Sequence, residues 1–327
     1  MSIAGDPNVD QPVQRHWKFR WEDLATLPAK GERHVQPRGG AFRMYAEGAF
    51  KGFDIECLPL LKKSVKLRGQ GRCVYCGGTH DAAGRPLKLT SEHVVPEFLG
   101  AGLELTASSC DACQTKTSSF EHALSEDLFG PARSVLDIKG KSGTLDLRHI
   151  RLDLGGLTSD PHVLPAFHHP TILILPSLYP APAFSSAPVG IDHPYAFWMY
   201  NINADKKALD QYDIEAFSTQ TVDQLRFSQL LAKIGHVYGS SYFGVGSFQP
   251  ALTQLIRGDY PIADPNPPRE FYSHIGCLWQ CRDYDGKSEC LHEIQPGSIN
   301  FNGKLTKAVR IRLFSCFDMP SYFVALE

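Results

Sequence analysis

Two Cys-x-x-Cys pairs, Cys73-Val-Tyr-Cys76 and Cys110-Asp-Ala-Cys113, constrain this chain more than any other feature of its sequence. A pair at that spacing turns the backbone into a tight knuckle with two thiolates aimed at one point. Two knuckles meeting on one ion give the tetrahedral sulfur set of structural Zn²⁺. The stretch between them is then pinned at both ends, and it carries Leu89-Thr-Ser-Glu92-His93-Val-Val-Pro96. A purely structural zinc ribbon has nothing reactive inside it, so spacing alone leaves catalysis open. The order of parts favours chemistry: an acid and an imidazole stand side by side, Pro96 follows closely, and an amide residue, Gln114, comes directly after the fourth cysteine.

These residues resemble the HNH endonucleases, the ββα-metal nucleases. The pattern is Cys-x-x-Cys, then Glu92-His93-Val-Val-Pro96, then Cys110-x-x-Cys113-Gln114-Thr-Lys116. It is most similar to the zinc-stapled subset, which includes phage Holliday-junction-resolving endonucleases and many bacterial proteins carrying Ser-Glu-His-hydrophobic-hydrophobic-Pro. Thr117-Ser-Ser-Phe120-Glu121 also looks like one branch of those bacterial proteins. The resemblance covers residues 67–133 and is more specific for fold than for substrate.

The resemblance implies metal-dependent hydrolysis of phosphodiester bonds in DNA. His93 matches the general base, since a neutral imidazole can take a proton from water near neutral pH. Glu92 matches the acidic ligand of a catalytic Mg²⁺ or Mn²⁺. The second ligand falls on Gln114, where Asn or His is more usual; its neutral carbonyl on a longer arm is a weaker ligand than a carboxylate. Glu121, two turns further along the same helical face, is a candidate to assist as a ligand or to orient His93. Adjacent strand residues point to opposite faces, so bringing Glu92 and His93 together needs a bend or a strand end. The family's middle Asn has no counterpart between Val94 and Cys113, leaving Thr106 or Ser108 to tether that loop.

A net charge of −2 does not advertise a nucleic-acid binder. The distribution says more than the sum. Lys62, Lys63, Lys66, Arg68, Arg72, Arg85 and Lys88 stand between residues 60 and 90, opposed only by Asp81. A basic stretch leading into the knuckles suits backbone phosphates, with a solvated face as the plain alternative. Lys62, Lys63, Lys66, Arg68, Arg72 and Lys116 are therefore the candidate phosphate contacts, and DNA is the expected partner.

The longest apolar run, near residues 171–175, is broken by Pro170 and Pro176 and is too short to span a bilayer. The opening residues lack a basic n-region and an apolar h-region, so a cytoplasmic protein without membrane contact is expected. The oligomeric state is left open. Nine cysteines is an odd count. The five outside the knuckles, Cys57, Cys277, Cys281, Cys290 and Cys316, read as buried reduced thiols, and disulfides are not expected. Cys277, Cys281, Cys290 and His292 are poorly spaced for a second metal.

The chain reads as α+β: a ββα-metal (HNH) zinc-knuckle domain plus a larger C-terminal α+β domain. Residues 1–50 look like an irregular lead-in, 51–135 carry the zinc-knuckle domain, and 136–327 form an accessory domain without an assigned role. Strands are expected at 87–92, 144–154, 171–175, 197–202, 275–283, 289–294 and 309–317. Helices are expected at 113–128, where Phe120, Leu124 and Leu128 recur every fourth position, at 222–238, and from Pro250 to Gly258. Two other functions remain open: a catalytically silent zinc module that binds nucleic acid, and a scaffold role centred on the C-terminal half.

Overall fold

In the computed structural model, one long helix, Gln224–Phe243, lies between the cysteine region and a C-terminal sheet. The structure describes residues 16–20, 29–37, 50–59, 65–100, 102–138, 149–152, 154, 162–184, 196–220, 222–259, 273–277, 288–301 and 303–327. In chain order these form β1 (His16–Arg20), β2 (Arg33–Pro37), β3 (Phe50–Gly52), β4 (Glu56–Leu58), β5 (Val65–Leu67), β6 (Leu89–His93) and β7 (Leu103–Cys110). Helices α1 (Asp111–Asp127) and α2 (Gly130–Val135) follow, then β8 (His149–Leu152), β9 (His162–Pro165), β10 (Ile172–Ser177) and β11 (Ala196–Asn201). The chain continues through α3 (Lys206–Asp210), β12 (Ala216–Gln220), the long helix α4 (Gln224–Phe243) and α5 (Thr253–Arg257). It closes with β13 (Ile275–Gly276), β14 (His292–Phe301), β15 (Lys304–Leu313) and β16 (Ser321–Ala325). The molecule is a mixed α+β fold.

The periodicity of residues 222–238 predicts an amphipathic helix. The structure instead buries α4 on every side from Phe227 to Ser240, as expected of a helix enclosed between two layers. One side lies on β15 and β16. Gly235 makes that approach possible, because a Cβ there would come within 2.7 Å of Val324. The other side faces α1 and the first cysteine knuckle. At its start, the Asp223 carboxylate accepts from the Arg226 N–H and caps the helix.

The C-terminal sheet is antiparallel, ordered β13-β16-β15-β14-β3, with β4 also paired to β14. Residues 50–52 and 56–58, numbered just ahead of the cysteine region, are thus strands of this sheet. A single buried cluster joins Leu99, Phe120 and Leu124 to Leu230, Ile234 and Leu313. Strands β10 and β11 separate that cluster from a smaller one by strict alternation: Leu173, Leu175 and Trp198 face the first, and Ile172, Ile174 and Met199 the second.

Several expectations are corrected. The lead-in contains strands: β1 pairs with β12 and β2 with β11. Cys57 and Cys290 form a disulfide, because pairing of β4 with β14 brings their Cα atoms to 5.4 Å. The helix expected at 113–128 ends at Asp127, and Gly130-Pro131 starts a further helix, α2, where proline suits the first turn. The last hairpin is longer than expected, with β14 and β15 paired from His292↔Leu313 to Phe301↔Lys304 and β16 added after them. Of the expected strand at 144–154, β8 is observed, while 144–148 lie outside the described residues, as do 278–287. Among the described residues, no helix is long and apolar enough to cross a membrane.

Candidate functional site

The four cysteines converge. Their sulfurs all lie within 4.8 Å of one another, and Cys76 Sγ is 3.9 Å from Cys110 Sγ. Sulfurs bound about 2.3 Å from one ion would stand about 3.8 Å apart at tetrahedral corners. The first knuckle closes on itself, with the Gly77 N–H donating to Cys73 O and the Cys73 N–H to Gly78 O. The second knuckle lies at the joint between β7, which ends at Cys110, and the first turn of α1, which holds Cys113. Backbone N–H groups of Cys76, Cys110 and Tyr75 point at the Cys73 sulfur, an arrangement that suits a metal-bound thiolate. The donor set and its spacing fit a metal ion, with zinc chemically apt.

Strands β6 and β7 are antiparallel and run into α1. Their register is regular at Glu92↔Leu105 and His93↔Glu104, but it shifts between Thr90 and Glu92, leaving Thr106, Ala107 and Ser108 as a bulge on β7. This bulge fastens the neighbouring segments. Thr106 Oγ1 donates to Leu67 O and accepts from the Gly69 N–H, and Ser108 O accepts from the Val74 N–H. A Cβ on Gly69 would strike Thr106 O at 1.7 Å, so this crossing requires glycine. Strand β5 adds to the same sheet, parallel to β7.

The irregularity falls before Glu92 and not after it, so Glu92 and His93 keep opposite orientations at the end of β6. Glu92 is buried, whereas the His93 side chain is 36% exposed, with Nε2 at 3.8 Å from Glu97 Oε1. The Glu92 carboxylate meets Lys233 of α4, with Nζ 2.7 Å from Oε1. Lys233 also donates to Glu121 of α1. One ammonium from a distant helix therefore holds both acids that the sequence singles out.

Burial would lower the Lys233 ammonium, but Glu121 and Glu92 outweigh it and hold the group above the ordinary lysine range. Burial pushes Glu121 up; Lys233 pulls it back, and so, more weakly, does His93. Tyr75 lies behind the same cluster, where burial and then the Glu92 and Glu121 charges push its phenol well above its usual value. One turn along α4 from Lys233, His236 is fully enclosed and bonds through Nε2 to Val74 O at 2.8 Å, seating the helix on the first knuckle.

Gln114 is not part of the Glu92–Lys233–Glu121 group in these contacts. Its Oε1 accepts from the Thr90 hydroxyl at 3.2 Å. Lys116 pairs with Asp259 beyond α5. Lys66, Arg68 and Arg72 are exposed ahead of the first knuckle, while Arg85 is held by Asp81 at 2.8 Å. Lys62 and Lys63 lie outside the described residues. Lys233 and His236 escaped the sequence reading. The available signal was a lysine and a histidine one turn apart on a helix otherwise nearly free of charge. His292, weighed above for a second metal, is a core residue: Nε2 bonds to Leu99 O at 2.7 Å, Nδ1 accepts from the Phe314 N–H, and burial lowers it to about 4.

No family model, no curated protein and no solved structure matches this chain. The local geometry and the sequence motifs therefore carry the functional argument.

Proposed function

We propose that the chain is an HNH-type endonuclease that hydrolyses phosphodiester bonds in DNA, with Zn²⁺ held structurally by Cys73, Cys76, Cys110 and Cys113. One observation carries this reading. The antiparallel β6–β7 pair leads into α1 with two of the four cysteines at the joint, and the half-exposed His93 stands at the end of β6. That is the strand–strand–helix order that the Glu-His motif implies.

In this reading His93 accepts the proton of the attacking water, a role usually worth about 10²–10⁴ in rate. Glu92 and Glu121 would hold a Mg²⁺ or Mn²⁺ ion, which when bound supplies positive charge to the phosphorane and the leaving oxygen. Their fit to a cation is supported by the Lys233 ammonium, which already reaches both carboxylates. Gln114 is better placed to anchor Thr90 than to hold that ion. Lys66, Arg68 and Arg72 are available to phosphates on the approach to the first knuckle.

A second reading, a zinc module that binds nucleic acid or a protein partner without cleaving, is favoured by the same ammonium, since it already neutralises part of the acidic pair. Incubation of purified protein with plasmid in Mg²⁺ or Mn²⁺ separates the two. The nuclease reading expects cleavage that His93→Ala abolishes while zinc content and DNA binding persist. Intact plasmid with every divalent ion, or equal cleavage by the variant, would contradict it.

A further inference from the structure

Lys233 is 1% exposed and belongs to none of the elements that build the β6–β7–α1 unit. It nevertheless sits where Glu92, from β6, and Glu121, from α1, converge. We propose that Lys233 is a tethered competitor for the divalent ion: its ammonium and the metal occupy the same position between Glu92 and Glu121, so α4 sets the metal affinity of the site. The inference rests on the assignment of those two acids to a divalent ion.

The charge balance gives the reason. The two carboxylates, Glu92 buried and Glu121 half-buried, carry two negative charges, and one ammonium leaves one of them uncompensated. A divalent ion would compensate both. An ammonium and a divalent ion held together by the same two oxygens would repel each other strongly in an interior of low effective dielectric. Occupancy is therefore exclusive, and loading the metal requires Lys233 to withdraw. The residue is fixed on a helix whose opposite face packs on β15 and β16. Anything that shifts α4 against the C-terminal sheet would thereby change metal affinity without touching either acid.

Mn²⁺ titration of the zinc-loaded full chain, followed by electron paramagnetic resonance of free Mn²⁺, tests the competition. Lys233→Met should bind one Mn²⁺ at least tenfold more tightly than the wild type, and adding Glu92→Gln to that variant should remove the gain. Equal or weaker binding by Lys233→Met, or no Mn²⁺ bound by either chain, overturns the inference. A measurement on the wild type does not depend on the variant's folding. Acetylation of Lys233, read by mass spectrometry, should be negligible without Mn²⁺ and rise severalfold at saturating Mn²⁺. Bound Mn²⁺ that leaves Lys233 unlabelled overturns the proposal as well. If plasmid stays intact while the affinities follow this order, the nuclease reading fails and the competition stands. Cleavage with Mn²⁺ affinities indifferent to Lys233 removes the competition and leaves the nuclease.

Discussion

The cysteine cluster and the Glu92–Lys233–Glu121 cluster lie in the same part of the molecule, yet they are assembled on opposite principles. The first takes its four groups from two short knuckles, each shaped by its own turn or helix start. The second takes one group each from β6, α1 and α4, and its cation is far away in sequence. The sulfur cluster fixes the strand–strand–helix unit internally. The charged cluster fixes that unit to the rest of the chain. A local motif thus declares its geometry in sequence, whereas a long-range polar contact becomes visible only when the fold closes.

This contrast can be broken experimentally. The largest effect is expected at the knuckles: Cys110→Ser should lose the ion and unfold residues 65–138, since structural zinc contributes on the order of 10 kcal/mol in small domains. Hydrogen exchange and metal analysis of the variant would reveal it, and retention of both metal and protection would refute the role given to the sulfurs. Lys233→Met should come next, costing about 3–5 kcal/mol because removal of one partner strands buried charge. Urea denaturation measures this, and the triple variant with Glu92→Gln and Glu121→Gln should recover most of the loss. A single variant as stable as wild type would mean the three groups are not mutually dependent.

A covalent link provides a control outside both clusters. Cys57→Ser should lower stability by about 2–4 kcal/mol through loss of the Cys57–Cys290 bond, while leaving metal content unchanged. An effect of similar size is expected from His292, which ties Leu99 O to the C-terminal hairpin in its neutral form. Its folded value of about 4 lies below the usual 6.5, so the unfolded chain binds the proton first as pH falls. Its stability contribution is complete above pH 6.5 and is lost progressively down to pH 4, by about 3 kcal/mol. In His292→Gln that part of the slope of stability against pH should disappear; an unchanged slope would reassign it. The smallest effect belongs to the basic approach. Replacing Lys66, Arg68 and Arg72 by Ala should flatten the salt dependence of duplex binding by about 0.9 per lost phosphate contact, and an unaltered slope would place the binding surface elsewhere.

Residues whose partners are close in sequence were the legible ones. The knuckle spacing located the cysteine cluster, the apolar period of residues 113–128 located α1, and the apolar runs 171–175 and 197–202 located β10 and β11. Other features depend on the closed fold. Strands β1 and β2 are defined by pairing with β12 and β11, and the Cys57–Cys290 bond by pairing of β4 with β14. The burial of α4 on all sides reflects packing between two layers, which its own apolar stripe does not disclose. The same holds for Gln114: its position after Cys113 was readable, but its bond to Thr90 depends on how β6 meets α1.

The claim on which everything else depends is that the four sulfurs bind one ion. X-ray absorption at the zinc edge, combined with metal analysis of the purified chain, tests it most directly. The account predicts one zinc per chain with four sulfur neighbours at about 2.3 Å. A chain that folds without zinc, or a zinc shell containing nitrogen or oxygen in place of one of the sulfurs, would contradict it.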